Sequence, residues 1–186
     1  MIHSFSCKNF YSFDDFVSVN FSVNEKAPQN NGYFTAESGA RLSKIETVIG
    51  PNASGKTNLL KVLPFLKWLV VDSFVVSPNA QLPVKPFLFT GQKKPIELSV
   101  DFEINSNTYT YSFSLEEKKI LSEELKVKNK TNQKITSKKI LSRTWNESAK
   151  KYDFEDKNFD LPKDFEKLLR TNASVISTAV RFNHEW

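Results

Sequence analysis

The sequence of 186 residues carries a formal net charge of +5, and 39% of its residues are hydrophobic. This composition is typical of one globular domain or two small lobes and excludes a disordered polar chain. The longest apolar run, residues 65–76, is too short to span a bilayer, so we expect no membrane partner. The first ten residues lack a signal-peptide pattern, and the single cysteine, Cys7, excludes an intrachain disulfide. We therefore expect a cytoplasmic protein.

The N-terminal part of the chain alternates predicted strands with polar connections. Residues 2–10 and 16–22 are rich in β-formers and predict two strands, whereas the polar residues 24–43 predict a surface loop. Residues 44–49 predict a third strand because isoleucine and valine dominate their apolar positions, and Gly50 ends it.

A leucine-rich helix is predicted to begin near Gly55. Pro64 should kink or end its first piece, because proline has no N–H and its ring displaces the carbonyl of the preceding turn. The helix is expected to resume over residues 65–75. Four prolines in residues 77–95 predict an irregular connection.

Strict alternation of apolar and polar residues begins at Ile96. The runs 96–103 and 109–115, with a turn at 105–107, predict an antiparallel hairpin. The fold class is therefore α/β of the α+β type, with an antiparallel β-meander. Further strands are expected at 120–128, 139–145 and 151–155, and helices after Pro162 and over 172–183.

Residues 50–57 match the phosphate-loop pattern G-x-x-x-x-G-K-[ST] without deviation. Lys56 would place a positive charge on the β- and γ-phosphates, and Thr57 would offer its hydroxyl to Mg²⁺. We therefore predict ATP and Mg²⁺ as ligands, Lys56 as the catalytic residue and Thr57 as the metal ligand. A glycine-rich turn with an incidental lysine is the alternative. The predicted nucleotide-binding residues are Gly50, Pro51, Asn52, Ala53, Ser54, Gly55, Lys56, Thr57 and Asn58.

Residues 49–60 resemble the Walker A phrase of the ABC-like, AAA-family ATPases of the RecF, SMC and OLD group. Asn52 and Asn58 are typical companions of the loop in that group. Residues 86–125 and 172–184 resemble a bacterial, defence-associated branch of it. The resemblance implies a P-loop, ABC-type N-terminal lobe, in which an antiparallel meander accompanies the Walker A helix.

The opening residues 8–13 are similar to the group's N-terminal phrase KNFRSF, but Tyr11 stands where the group has arginine. In the group that arginine can lie near the nucleotide. A phosphate contact from this position is therefore in doubt, although the tyrosine ring could stack on a base.

The resemblance also implies hydrolysis between two heads, each with a Walker B carboxylate pair, a signature loop and a switch histidine. Residues 68–72 have a Walker B-like pattern but fall in the predicted helix, and residues 37–40 echo a signature loop but precede the phosphate loop. His184 is better interpreted as a surface residue, and Gln92 is only a guess for the glutamine that senses Mg²⁺.

We therefore interpret the chain as part of an ATPase head. Residues 1–76 would supply strands, the Walker A loop and its helix, 77–160 the meander and 161–186 a helical segment. The expected partner is the missing half or a second head, with a homodimer in the parent protein. Hydrolysis by this chain alone should be negligible, because Walker B carboxylates hold Mg²⁺ and position water.

Two alternatives stay open from the sequence. A complete small P-loop kinase would need a lid with arginines, for which the candidates are Arg41, Arg143, Arg170 and Arg181. A β-rich nucleic-acid-binding module would use aromatic residues or a basic hairpin. The lysines that could contact DNA there are Lys126, Lys128, Lys130, Lys134, Lys138 and Lys139.

Overall fold

The computed structural model describes residues 1–24, 26–28, 31–89, 94–131 and 134–184. An antiparallel sheet of seven strands forms the body of this part of the chain. The strands are β1 (Ile2–Lys8), β2 (Val17–Asn20), β3 (Tyr33–Thr35), β4 (Arg41–Ser43), β5 (Ile96–Ile104), β6 (Asn107–Glu116), β7 (Lys119–Thr131), β8 (Lys134–Asn146) and β9 (Lys151–Asp156). The helices are α1 (Lys56–Leu60), α2 (Val62–Val71) and α3 (Val175–Arg181), with short 3-10 turns at Ser73–Val75 and Phe165–Leu168.

The order of strands in the large sheet is β2-β1-β5-β6-β7-β8-β9, with antiparallel neighbours throughout. The predicted alternation sets the register, since Leu98 pairs with Phe113 and both side chains are buried. Leu66 and Leu69 of α2 and Val175 of α3 join the same apolar core. The α+β fold class predicted from the pattern is confirmed.

The segment before the phosphate loop differs from the prediction. Residues 44–49 are not a strand, and a short hairpin of β3 and β4 forms instead within the predicted loop 24–43. Apolar β-formers become a strand only where a neighbour completes their hydrogen bonds. No strand in the described part of the chain pairs with 44–49. Its Ile45 and Ile49 are therefore 80% and 88% exposed.

The β3–β4 hairpin is tied to the large sheet through a buried carboxylate. Glu103 of β5 accepts hydrogen bonds from the backbone N–H of Ser38 (3.0 Å) and from the Ser38 hydroxyl, and it pairs with His3 Nε2 at 2.9 Å. Burial would raise the pKa of Glu103, but these bonds outweigh it and hold the pKa below its usual value. The carboxylate is thus ionised and fixes the turn that carries Ser38.

The proline acts on the helix one turn earlier than its own position. Helix α1 ends at Leu60, and α2 begins at Val62, so Pro64 lies in the first turn of α2. This follows from the chemistry of proline, which cannot donate to the carbonyl of Leu60 and displaces it. The N–H of Phe65 resumes the helical pattern by donating to the Lys61 carbonyl at 3.0 Å.

The C-terminal helices are shorter than predicted. Pro162 is followed by a 3-10 turn rather than an α-helix, and Asp164 at its start has a positive φ of 65°. Helix α3 begins after Ser174, whose hydroxyl accepts a hydrogen bond from the Ser177 N–H at 3.0 Å. This side-chain cap explains where the predicted helix over 172–183 starts.

A buried ion pair fastens α3 to the sheet. Arg143 Nε donates to Glu123 at 2.7 Å, and both side chains are fully buried. Glu123 also accepts hydrogen bonds from the Tyr111 hydroxyl and from the N–H of Val175 at the start of α3 (2.8 Å). Burial, and then the neighbouring carboxylate of Glu123, raise the pKa of Tyr111 well above its ordinary value, so its hydroxyl stays a donor.

Candidate phosphate-binding site

Residues 50–57 form a bent loop that leads directly into α1. Ala53 and Gly55 have positive φ angles of 62° and 90°, which turn the chain sharply before the helix. The loop borders a depression of about 190 Å³, lined by Ser12, Ala53, Ser54, Gly55, Lys56, Thr57 and Asn58. The predicted binding residues from Ala53 to Asn58 are therefore gathered around one small cavity.

The Lys56 ammonium lies across the loop. Its Nζ donates to the carbonyls of Gly50 (2.8 Å) and Pro51 (2.5 Å) and lies 3.5 Å from the Ser54 hydroxyl. The three acceptors come from the loop's own backbone and side chains. Phosphate oxygens that enter the depression would replace these acceptors, because they are stronger partners for a cation than carbonyl oxygens.

The N-terminal turn closes one side of the loop. A Cβ at Gly55 would lie 2.7 Å from Ser12 Oγ and 3.0 Å from the ring of Phe13. Asn58 Nδ2 donates to Ser12 Oγ at 3.0 Å. Sequence reasoning did not place Ser12 in the site, although the motif containing it was noted, because nothing in its spacing shows that the turn folds back onto the loop.

Replacing Gly55 with alanine should distort the loop more than replacing Gly39, which has a similar φ of 84°. A Cβ at Gly39 would meet nothing within 4 Å, so Gly39→Ala isolates the strain of a positive φ, about 1–2 kcal/mol. Gly55→Ala adds the contact with Ser12 and Phe13. The free energies of unfolding of both variants, measured in urea, should differ, and equal losses would contradict this packing.

Three predicted residues of the loop, Gly50, Pro51 and Asn52, do not line the depression. Pro51 and Asn52 are exposed, and Thr57 is exposed at the rim of the depression. The Tyr11 ring lies below Lys61, whose Nζ is 4.4 Å from the ring centre, and the Tyr11 hydroxyl donates to the Pro83 carbonyl at 3.4 Å. One face of this ring is therefore taken by a lysine. Stacking of the ring on a base stays a prediction.

Comparison with known protein families decides the assignment of the chain. Residues 47–182 match the family described as "AAA domain, putative AbiEii toxin, Type IV TA system". The match spans most of the chain and includes the whole phosphate loop. The chain belongs to this AAA family. No curated protein matches it in sequence.

Proteins of the AAA family bind nucleotide. The structure of this AAA domain also shows where the weaker candidate residues for nucleotide hydrolysis lie. Residues 68–71 lie within α2, so the Walker B-like pattern is helical, as expected. Residues 37–40 form the turn between β3 and β4. His184 Nε2 lies 3.2 Å from the Phe159 carbonyl, which holds its ring against the protein. Gln92 lies outside the described residues.

Three of the arginines that a kinase lid would require make contacts elsewhere in the structure. Arg41 donates to the Ala27 carbonyl at 2.8 Å, and Arg143 belongs to the buried ion pair. The Arg170 guanidinium lies 3.7 Å from the centre of the Phe74 ring and donates to the Phe74 carbonyl at 3.0 Å. Arg181 lies at the end of α3. The small-kinase alternative therefore loses most of its candidate residues.

The basic hairpin is largely neutralised at its base. Lys126 and Lys139 both contact Glu124, and Lys128 Nζ lies 2.7 Å from Asp101. Lys138 is exposed. Lys130 and Lys134 belong to β7 and β8, but the structure does not describe their side chains. DNA contact through this hairpin stays a prediction.

A larger depression, of about 370 Å³, lies on the polar face of the sheet, away from the phosphate loop. Serines of four strands line it, and Ser99 Oγ and Ser112 Oγ are 3.1 Å apart. One of these two hydroxyls donates to the other, and this contact is explained by the pairing of β5 with β6. No helix in the described part of the chain is long and apolar enough to cross a membrane.

Proposed function

We propose that the chain binds ATP with Mg²⁺ through residues 50–57. The observation that carries the proposal is the position of Lys56, whose ammonium lies over a loop bent by two positive φ angles and open to a small cavity. A loop of this kind brings backbone N–H groups and one mobile positive charge to the same anion. The family match, which includes the loop, supports nucleotide as that anion.

The residues of the loop take different roles in this proposal. Lys56 exchanges the carbonyls of Gly50 and Pro51 for the β- and γ-phosphates of the nucleotide. Thr57 is exposed at the rim, and its hydroxyl would hold Mg²⁺. Bound there, Mg²⁺ would supply positive charge next to the phosphates.

The chain would act as the N-terminal part of an ABC-like ATPase head, completed by another segment or a second head. The segment before the loop supports this, because Ile45 and Ile49 are apolar β-formers with most of their surface exposed. Leu60 of α1 is also 61% exposed. Burial of these side chains against a partner strand would stabilise the complex by about 1.5–3 kcal/mol for each. A homodimer in the parent protein is one way to supply that partner.

The closer assignment to the RecF, SMC and OLD group rests on the resemblance of residues 49–60 and of the opening phrase, and the assignment to bacterial defence rests on the resemblance of residues 86–125 and 172–184. The description of the matching family names a toxin of a toxin–antitoxin system, which is consistent with a defence role. We therefore propose a role in bacterial defence for the complete ATPase.

Thr57→Val tests the metal part of the proposal. The variant should bind Mg-ATP about tenfold more weakly, since it keeps the shape of threonine but loses the hydroxyl that contacts the ion. With EDTA present, wild type and variant should bind ATP equally. Calorimetric titration measures both affinities, and Thr57→Ser serves as the control that restores binding.

Phosphate release followed in the same samples tests the second part of the proposal. The isolated chain should release phosphate no faster than buffer containing Mg-ATP. Robust turnover would refute the idea that the head needs further elements, and it would make a complete P-loop enzyme the leading interpretation. An equal loss of affinity in Thr57→Val with and without Mg²⁺ would refute the metal contact.

A further inference from the structure

A chain of side-chain contacts runs along one rim of the phosphate-loop depression. The Lys61 ammonium lies 4.4 Å from the centre of the Tyr11 ring and donates to Asn58 Oδ1 at 2.9 Å. Asn58 Nδ2 in turn donates to Ser12 Oγ at 3.0 Å. These contacts therefore connect the Lys61 ammonium, which lies over the Tyr11 ring, with the Ser12 hydroxyl, which lines the depression.

The direction of these hydrogen bonds is fixed by chemistry. A lysine ammonium can only donate, so the Asn58 oxygen must face Lys61 and the Asn58 NH₂ must face Ser12. The Ser12 oxygen then accepts from Asn58, and its own proton is left to donate elsewhere. Lys61 therefore fixes the orientation of the Asn58 amide.

The Ser12 hydroxyl lies next to the loop. Ser12 is exposed, and its Oγ would lie 2.7 Å from a Cβ placed on Gly55, the residue at the bend of the loop. Lys56 and Thr57 line the same depression. A hydroxyl donor and an ammonium thus border one cavity, and both groups suit an oxyanion.

We propose that Ser12 donates a hydrogen bond to the phosphate chain of the bound nucleotide, and that Asn58 and Lys61 are positioning residues that orient its hydroxyl. This assignment rests on the proposed function, since the phosphate must occupy the depression. Ser12 is a ligand supplied from outside the loop sequence, and Asn58 contributes through Ser12 rather than through a phosphate contact of its own.

A purely structural role for the contacts would have a different signature. If the Ser12–Asn58 bond only fastened the N-terminal turn to α1, its loss would lower stability and leave the affinity for phosphate groups unchanged at temperatures where the protein is folded. The assigned role predicts the opposite, because Ser12 is exposed and its substitution disturbs little packing.

The experiment is calorimetric titration of ATP into folded wild type, Ser12→Ala, Ser12→Thr, Lys61→Met and the double variant Ser12→Ala/Lys61→Met. Ser12→Ala should weaken binding about ten- to hundredfold, as expected for one hydrogen bond to a charged group, and Ser12→Thr should retain it. Lys61→Met should weaken binding about threefold, because the Asn58 amide is free to turn. Lys67→Met removes the same charge from an exposed position of α2 and should have less effect.

The double variant distinguishes the relay from a general charge effect. If Lys61 acts through Ser12, the loss caused by Lys61→Met should disappear when Ser12 is already alanine. Affinity for ATP that depends on Lys56 but is unchanged in Ser12→Ala would overturn the assignment and leave the proposed function intact. A wild type that binds no ATP would overturn the proposed function and the assignment together.

Discussion

Lys56→Ala is expected to weaken the binding of Mg-ATP by about ten- to hundredfold, the effect of losing one or more hydrogen bonds to a charged group. Within the part of the chain that the structure describes, the Lys56 ammonium bonds only to oxygens of the loop itself, those of Gly50, Pro51 and Ser54. These bonds are exchanged for phosphate oxygens on binding. The variant therefore loses the charge that the nucleotide would meet first.

A matched control separates this effect from the general loss of positive charge. Lys67 is exposed on α2, and Lys67→Ala should bind Mg-ATP like the wild type. Both variants are compared by calorimetric titration, after thermal denaturation has shown that they are folded. An affinity of Lys56→Ala equal to that of Lys67→Ala would mean that the lysine of the loop is incidental.

Arg143→Met is expected to lower the free energy of unfolding by about 3–5 kcal/mol, which is the effect of leaving one charge of a buried pair without its partner. Arg143 and Glu123 are fully buried, and Arg143 also donates to the Arg170 carbonyl at 3.0 Å. The substitution keeps the apolar volume but leaves the Glu123 carboxylate facing the core. Urea denaturation measures the loss.

Two further variants test that explanation. Arg143→Met combined with Glu123→Gln should be more stable than Arg143→Met alone, because glutamine removes the buried charge and still accepts hydrogen bonds from Tyr111 and Val175. Lys85→Gln breaks an exposed pair with Glu117 and should cost less than about 1 kcal/mol. A loss of similar size in Lys85→Gln and Arg143→Met would contradict the role of the buried pair.

The meander could be predicted from the sequence because its information is local. Alternating residues, such as those around Leu98 and Phe113, identify both the strand and the face that is buried. The same alternation could have identified Arg143 as a residue that faces the core. It lies two residues after the buried Leu141 on β8, so it had to face the core.

Features that depend on distant partners could not be predicted in this way. Residues 44–49 have the composition of a strand, but composition does not state whether a neighbouring strand is present. The β3–β4 hairpin forms in a polar segment because the buried carboxylate of Glu103, far along the chain, holds the turn at Ser38. Ser38 and Glu103 are 65 residues apart in the sequence.

The candidate site shows the same division. The motif identified the loop from Gly50 to Thr57, because the residue types required by a phosphate cradle occur at a fixed spacing. Ser12 lies in a different motif, and only the fold brings its hydroxyl to Asn58. The break in the helix caused by Pro64 was also predicted, but it lies before the proline, between Leu60 and Val62. This is because the carbonyl that Pro64 displaces belongs to Leu60.

The most direct test of the central claim is to titrate ATP, ADP and AMP into the wild-type chain with Mg²⁺ present. A loop that holds the β- and γ-phosphates should bind ATP and ADP and should bind AMP at least about tenfold more weakly, because AMP lacks both groups. Equal affinity for the three nucleotides, or no affinity for ATP, would contradict the assignment of residues 50–57 as the phosphate site.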